Sequence, residues 1–498
     1  MANPSRRQFL TVTAATAAAA AVSGELQASD HGPVQMWSTF RDRRHTPGAP
    51  LAWKPVTEVA SDAIALDPAI ARQEILGFGA AMTDASCWVL SRIPIEQRTA
   101  LMHELFAPGQ MAMNVCRTCI GSSDYSRELF SYDDSDREDP ELTKFSIDHD
   151  KAYVLPMLRE ARQQNPDLFL FSSPWSPPAW MKFNRSMLGG TIRKSALEPY
   201  SRYTLKFLEA YKAEGVPIDA ITVQNEVDTT VDGRYAACQW SQEDEILYVA
   251  RYLGPLFRQA NCPTKIWVLD HNFNLWGRAI AELSDATAHE YIDGIAWHGY
   301  AGEPSAMTAV HHAFPGEHAY FTEGGPPRRP GQPGEPLTAW ATWAAWANEV
   351  LGNWCRSITV WNIALDEYGT PYIGLREGPG GTAAPPDEQR RVLRMGAGVL
   401  TVQNDTHEVT RSGRFWALAH YSKHVKRGAR VFATEGVGQT TAQGGTGEIS
   451  HTGFRNPDGS YVVVLANCGV EKRVQLLLDR NALDVDLPAD SVHTLQWS

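Results

Sequence analysis

Seven cysteines in 498 residues, an odd number, are too few for the disulfide framework of a small secreted domain. Cys116 and Cys119 have the spacing of a metal or redox motif. They fall inside a β-like run, 113–120, with no second Cys pair or His pair at finger spacing, and so read as strand cysteines. No run approaches the roughly 18 consecutive apolar residues of a membrane span. Basic residues are in deficit as well: 45 Lys and Arg against 57 Asp and Glu give a formal net charge of −12. That balance argues against nucleic acid as a partner and favours a neutral one. The Gly- and Pro-rich stretches 326–336 and 376–387 lack the Gly-Lys-Ser/Thr ending of a phosphate loop, and no dinucleotide fingerprint follows the first strand.

What is present starts with an address. Ser5-Arg6-Arg7-Gln8-Phe9-Leu10 precedes a mild, Ala-rich apolar stretch over 11–22 and small residues over 23–28. This pattern reads as a twin-arginine signal, 1–28, on a bacterial protein exported to the periplasm or beyond, with no stable membrane insertion. A hydrophobic content of 43% then provides for one large domain and a smaller one.

Apolar runs of strand length alternate with amphipathic stretches of helix length. Strands are predicted over 75–80, 113–120, 168–172, 220–224, 265–269, 294–298, 319–322 and 357–362. Eight βα repeats match an α/β fold of the (β/α)8 TIM-barrel type, over 73–396. After 397 the segments become short and β-branched with turn signals such as Asn456-Pro457-Asp458-Gly459. That texture predicts an antiparallel β-sandwich over 397–498, joined by N-terminal strands over 35–72.

Two β-rich runs close on a carboxylate: Ile221-Thr222-Val223-Gln224-Asn225-Glu226 and Ala319-Tyr320-Phe321-Thr322-Glu323. A lone glutamate at a strand end is ordinarily a surface or salt-bridged group. Two of them at the ends of strands four and seven face the same barrel mouth, where active sites of this fold are built. A carboxyl pair of this kind cuts glycosidic bonds, and a spacing of about 5 to 5.5 Å goes with retention of configuration. Asn225 can hydrogen-bond a sugar 2-hydroxyl, which marks Glu226 as acid/base with a raised pKa. Glu323 is then the nucleophile, kept ionised by a donor such as Arg117 at the end of strand two. Trp175 and Trp180 after strand three, and Trp361 at the end of strand eight, offer faces for a sugar ring, with core packing the plain alternative for each. His298 and Tyr300 end strand six beside Glu323; an orienting hydrogen bond suits His298 better than a metal, because no partner lies at ligand spacing.

These residues carry a resemblance. Gly77-Phe78-Gly79-Ala80-Ala81-Met82-Thr83-Asp84, Arg117 with Ser123-Asp124-Tyr125, Ser173-Pro174-Trp175-Ser176-Pro177-Pro178-Ala179-Trp180, Gln224-Asn225-Glu226, Gly294-Ile295-Ala296-Trp297-His298-Gly299-Tyr300, Thr322-Glu323 and Trp361-Asn362 together resemble glycoside hydrolase family 30. The likeness spans nearly the whole mature chain. It implies a retaining β-glycosidase with no metal or organic cofactor, Glu226 as acid/base and Glu323 as nucleophile. Arg117, Asp124, Trp175, Asn225, His298, Tyr300 and Trp361 would surround the nonreducing sugar. The chain departs from the glucosylceramidase-like pattern at Val227-Asp228, where proline is common, at Gly299, and at Gly324-Gly325. The expected substrate is a β-glucoside, oligosaccharide or glycolipid; β-1,6-glucanase, β-xylosidase and β-fucosidase specificities are alternatives. A non-catalytic carbohydrate-binding protein is the alternative of another class, and the presence of both glutamates opposes it.

Overall fold

The computed structural model describes residues 31–229, 235–326, 338–373, 398–436 and 448–498. The signal segment and the stretch 376–387 lie outside these residues, as does 326–336 beyond Pro326. Eight parallel strands form the centre: β1 (Gly77–Ala80), β2 (Val115–Ile120), β3 (Phe169–Pro174), β4 (Ala220–Thr222), β5 (Lys265–Asn272), β6 (Ile292–His298), β7 (His318–Glu323) and β8 (Cys355–Val360). Each coincides with one of the eight segments read from the sequence, with ends displaced by up to three residues. They pair in the order β1-β8-β7-β6-β5-β4-β3-β2. A bridge between Ala81 and Arg117 and a hydrogen bond from the Met82 N–H to the Arg117 carbonyl at 2.7 Å join the remaining edges.

Glycine makes that seam possible. A Cβ on Gly79 would lie 1.9 Å from the Val115 carbonyl oxygen, so any larger residue would push β1 away from β2. Along β2 the two-residue period of a strand turns Val115, Arg117 and Cys119 to one face and Cys116 to the other. Cys116 packs in the main core among the helices, whereas Cys119 packs with Trp175 and Trp361. The two thiols are therefore on opposite faces and are free, as strand cysteines would be.

The barrel's N-terminal half is filled by Val115, Phe171, Ala220, Trp267, Ala296 and Tyr320. The Trp267 and Tyr320 rings stack at 4.0 Å. This apolar floor keeps water from reaching the polar strand ends from below.

A ten-stranded sheet forms the second body. Gln35–Phe40 pairs antiparallel with Ser491–Trp497, and Ile64–Glu74 lies between Arg430–Glu435 and Lys472–Leu478. The first and last described strands thus enter one sheet, and the pairing of Ile64–Glu74 with Lys472–Leu478 is parallel, an exception to the otherwise antiparallel order. The sandwich strands begin at Arg430 rather than at 397. Leu400–Val402 and Val409–Arg411 instead join Ala364–Asp366 in a small separate sheet, and the helix Gly413–Ser422 follows, capped by Ser412. Short β-branched runs look alike whichever sheet receives them, so periodicity alone could not divide them.

Four histidines are packed where that helix meets the sheet. His420 is held between the Thr39 and Thr494 hydroxyls at 2.8 Å each, and His45 faces His424 at 3.0 Å between Nε2 atoms. His493 meets Ser38 at 2.8 Å. Burial pushes His45 down to about 3 and His424 and His493 down to about 4, and holds His420 well below its ordinary value. The folded chain keeps these rings neutral, whereas the unfolded chain protonates them near pH 6.5. Unfolding therefore takes up protons below that point, and stability falls as pH drops from about 6.5 towards 4. Each titrating ring should contribute about 1.4 kcal/mol per pH unit. Urea unfolding at pH 7 and pH 5 should show this loss, and His424→Gln should flatten it.

Candidate active site

Arg117 on β2 is fully buried and uses its whole guanidinium. Nη2 donates to Asp270 Oδ2 and Asn225 Oδ1, both at 2.7 Å; Nη1 donates to Glu323 Oε2 at 2.5 Å; Nε donates to Ser173 Oγ at 3.1 Å. Five groups converge in turn on Asp270. Besides Arg117 they are Ser173 at 2.9 Å, Thr222 and Thr322 at 2.7 Å, and His298 Nε2 at 2.9 Å. Burial opposes ionisation of Asp270, but Arg117 and then His298 outweigh it and hold its carboxyl far below the usual range. The polar side chains of β2, β3, β4, β5, β6 and β7 thus meet at one buried anion.

Glu226 hangs from the same frame. Its N–H donates to the Asp270 carbonyl at 2.9 Å, its Oε2 accepts from Thr229 Oγ1 at 3.1 Å, and His298 Nδ1 lies 3.5 Å from Oε1. Both bonded backbones are in the left-handed region, with φ of 52° at Glu226 and 44° at Asp270, next to 72° at Leu269. Non-glycine residues enter that region at a cost of about 1–3 kcal/mol each, and persist there when their surroundings over-determine them. Here the strain aims one carboxyl at the mouth and the other at Arg117.

Glu323 closes β7, accepting Arg117 on Oε2 and the Tyr300 hydroxyl on Oε1 at 2.9 Å. The Tyr300 ring is 56% exposed, so the residue lies at the rim with its hydroxyl turned inward. Burial raises Glu323 above its ordinary pKa, with His298 and Arg117 offsetting only part of the rise. At Glu226 burial also acts upward, but His298 reverses the direction and the carboxyl is lowered. These directions are opposite to those expected from the sequence. The drop at Glu226 is due to His298: burial disfavours the imidazolium, yet Glu323 and Asp270 hold it protonated to about pH 9. That charge stands beside Glu226.

The recognition residues fall into three groups. Asn225 spends its oxygen on Arg117, which leaves its amide NH2 for the pocket. Asp124 is half-buried, its inaccessible Oδ1 has no hydrogen-bond partner among the described residues, and desolvation, then Glu323 and Glu226, push its pKa well above the ordinary carboxylate value. That direction favours its neutral form, which can donate to a hydroxyl. Trp175 and Trp361 stack on one another at 5.2 Å, and the Arg117 guanidinium lies 4.7 Å and 5.4 Å from their rings. Trp180 belongs elsewhere: it is core, with its indole N–H donating to Asp133 at 2.7 Å.

Asp270 was missed in the sequence, although its signal is the same as that of the two glutamates. It is a carboxylate near the end of an apolar strand, but strand five was read only as far as Leu269. Tyr235 was missed too; burial, then Glu226 and Asp124, raise its phenol, which places it beside the pair. Glu226, His271 and His298 each offer a ligand atom within 4.8 Å of the others. Sequence spacing could not show this grouping, because the three come from different strands. The donor set suits a transition metal, but coordination would occupy the Glu226 carboxyl and demand the His298 proton.

A closed parallel barrel with two carboxylates, a buried arginine and indole rings at its C-terminal mouth is the equipment of a glycoside-cleaving hydrolase. The profile of the glycosyl hydrolase family 30 TIM-barrel domain matches residues 75–374, that of the family's β-sandwich domain matches 431–495, and that of the twin-arginine translocation signal matches 3–23. An endo-1,6-β-D-glucanase of Neurospora crassa is 32% identical over 85% of this chain and 83% of its own. The lysosomal acid glucosylceramidase of Mus musculus is 25% identical over 87% and 83%. The solved structure of the endo-β1,6-glucanase BT3312 superposes with a TM-score of 0.78 at 28% identity, covering 94% of this chain and 99% of that one. The chain belongs to glycosyl hydrolase family 30: it is a glycoside hydrolase acting on carbohydrate and carrying an export signal.

Because Asp270 is the shared acceptor, Asp270→Asn should destabilise the fold by about 3 kcal/mol, as loss of a buried ion-pair partner does. It should also lower kcat/KM on an aryl β-glycoside by at least about 100-fold; urea unfolding and steady-state kinetics would read the two effects separately.

Proposed function

We propose that the enzyme hydrolyses β-glucosidic bonds with retention of configuration, and that β-1,6-linked glucan is its substrate. The observation that carries the chemistry is the unequal setting of the two carboxyls. Glu323 is clamped from both sides by Arg117 and Tyr300, as a nucleophile must be for in-line attack. Glu226 faces His298 and Thr229, groups that can orient it while its proton moves. Glu323 attacks the anomeric carbon, the glycosidic C–O bond breaks, and the Glu226 proton goes to the leaving oxygen. Glu226 then takes a proton from water, whose oxygen displaces Glu323 from the glycosyl ester. Asn225 donates to the 2-hydroxyl, and Asp124 to a hydroxyl further round the ring.

The linkage reading is supported by two endo-1,6-glucanases, 32% identical in sequence and 28% identical in a solved structure. A neutral glucan also suits a chain of net charge −12 that carries an export signal. Glucosylceramide is the second reading, favoured by the relative at 25% identity. Activity on β-1,6-glucan and not on glucosylceramide is expected, with the β-anomer as first product by proton NMR; an α-anomer would rule out retention.

Glu226→Gln and Glu323→Gln should each lower turnover by roughly 1,000-fold or more with the fold intact. Turnover needs Glu226 protonated and Glu323 ionised, whereas the free site lowers the first and raises the second. The kcat/KM profile should therefore be a narrow bell at acid pH. The His298 cation lowers both carboxyls, so His298→Asn should move both limbs to higher pH. A profile unchanged by that substitution would contradict the assignment.

A further inference from the structure

Residues that follow β3, β4 and β5 in the chain line a cleft of about 700 Å³, among them Phe183, Asp228, Gln239 and Trp240. That volume is within the ~300–1,000 Å³ range of ligand sites. Asp228 stands two residues beyond Glu226, where Val227-Asp228 replace the proline expected from the glucosylceramidase-like pattern. Asp228 thus joins the cleft to the short segment that carries the group read above as the proton donor, whose Oε2 accepts from the neighbouring Thr229. A proton donor faces the leaving oxygen, so the departing sugars must lie on its side of the cleaved bond.

The wall of the cleft is stiff. The hairpin that carries Phe183 is held by its N–H donating to the Thr191 carbonyl at 3.0 Å and by the Lys182–Ile192 bridge. Beneath it the buried Lys182 ammonium donates to Ser176 Oγ at 3.0 Å, the Met187 carbonyl at 3.1 Å and the Ala237 carbonyl at 2.5 Å. Gln239 N–H donates to the Gly190 carbonyl at 2.8 Å, stitching the β3 loop to the β4 loop. On this fixed support the Phe183 ring is 69% exposed, a position that core packing does not explain. A rigid, exposed ring beside polar side chains is a platform for the apolar face of a sugar.

Charge narrows the occupant. The three basic residues lining the cleft are each matched: Arg193 to Glu138 at 2.5 Å, Lys194 to Asp244 at 3.2 Å, and Arg278 to Glu245 at 2.6 Å and Glu282 at 2.8 Å. No basic group among the described lining residues is left over for an acidic ligand, while Gln239 and Asp228 suit hydroxyls.

We propose that this cleft binds the neutral glucosyl units on the leaving-group side of the cleaved bond, with Phe183 stacking on a ring and Asp228 accepting from its hydroxyls. The assignment rests on Glu226 being the acid/base, and it makes the enzyme act within glucan chains.

The test uses the full chain and two substrates: a β-1,6-linked glucotetraose, which can fill the cleft, and an aryl β-glucoside, which brings no second sugar. The quantity read is the ratio of their kcat/KM values. Phe183→Ala should lower that ratio about tenfold, chiefly through KM, the scale expected for losing one aromatic contact face. Asp228→Asn should lower it as well, and Phe183→Trp should keep it. Tetraose binding to Glu323→Gln, followed by calorimetry, should weaken about tenfold when Phe183→Ala is added. If the wild type cleaves both substrates and neither Phe183→Ala nor Asp228→Asn changes the ratio, the cleft assignment is overturned while the glucanase reading stands. If the wild type cleaves the aryl glucoside and leaves the tetraose intact, the glucan reading falls and the cleft assignment falls with it.

Discussion

A guanidinium fully removed from water is costly unless each of its donors is met, and Arg117 meets that condition with groups from β3, β5, β7 and the segment just after β4. Asp270 supplies the permanent counter-charge. Ser173, Thr222 and Thr322 occupy its remaining lone pairs, so the ion pair is satisfied on both sides. The register of the barrel strands follows from the same requirement. A one-residue slip in β2 would turn Arg117 out of the barrel and leave Asp270 buried without its principal counter-charge. The glycine at 79, which lets β1 pass close to β2, belongs to this constraint as much as any polar contact does.

The network also separates the two glutamates. Arg117 and Asp270 hold Glu323 and His298 in place, and His298 in turn sets the charge felt at Glu226. The strained backbone at Glu226 and Asp270 is bound across a single hydrogen bond. This strained pair and its buried ion pair lie at the strand ends, above an apolar floor of stacked aromatics. The functional surface extends outwards along the side of Glu226, where a rigid hairpin presents Phe183.

Much of this was readable in advance. All eight barrel strands have a local signal, because a strand buried on both faces must be apolar and continuous. The glutamates, Asn225, Arg117 and the Trp175 loop sit next to strand ends in the chain, and the structure brings them to one mouth. Asp270 was lost because strand five was read to Leu269 and runs to Asn272, the kind of error pattern reading makes at element ends. The helix Gly413–Ser422 was lost to the sandwich texture around it. Trp175 and Trp180, five positions apart in one loop, had equal claims as sugar platforms; only packing separates them, one beneath Arg117 and the other in the core.

The amino-acid sequence by itself determined the alternation of strand and helix, the export signal, the low basic charge and the two carboxylates at strand ends. Each of these is a property of neighbouring residues or of composition. Tertiary structure alone decided that Arg117 and Glu323, 206 positions apart, share a bond of 2.5 Å, and that burial raises Glu323 while a protonated His298 lowers Glu226, the reverse of the expected directions. It also decided where the cleft beyond Glu226 lies. Burial and the fields between charges depend on distances through space, and those distances are set only when the barrel closes.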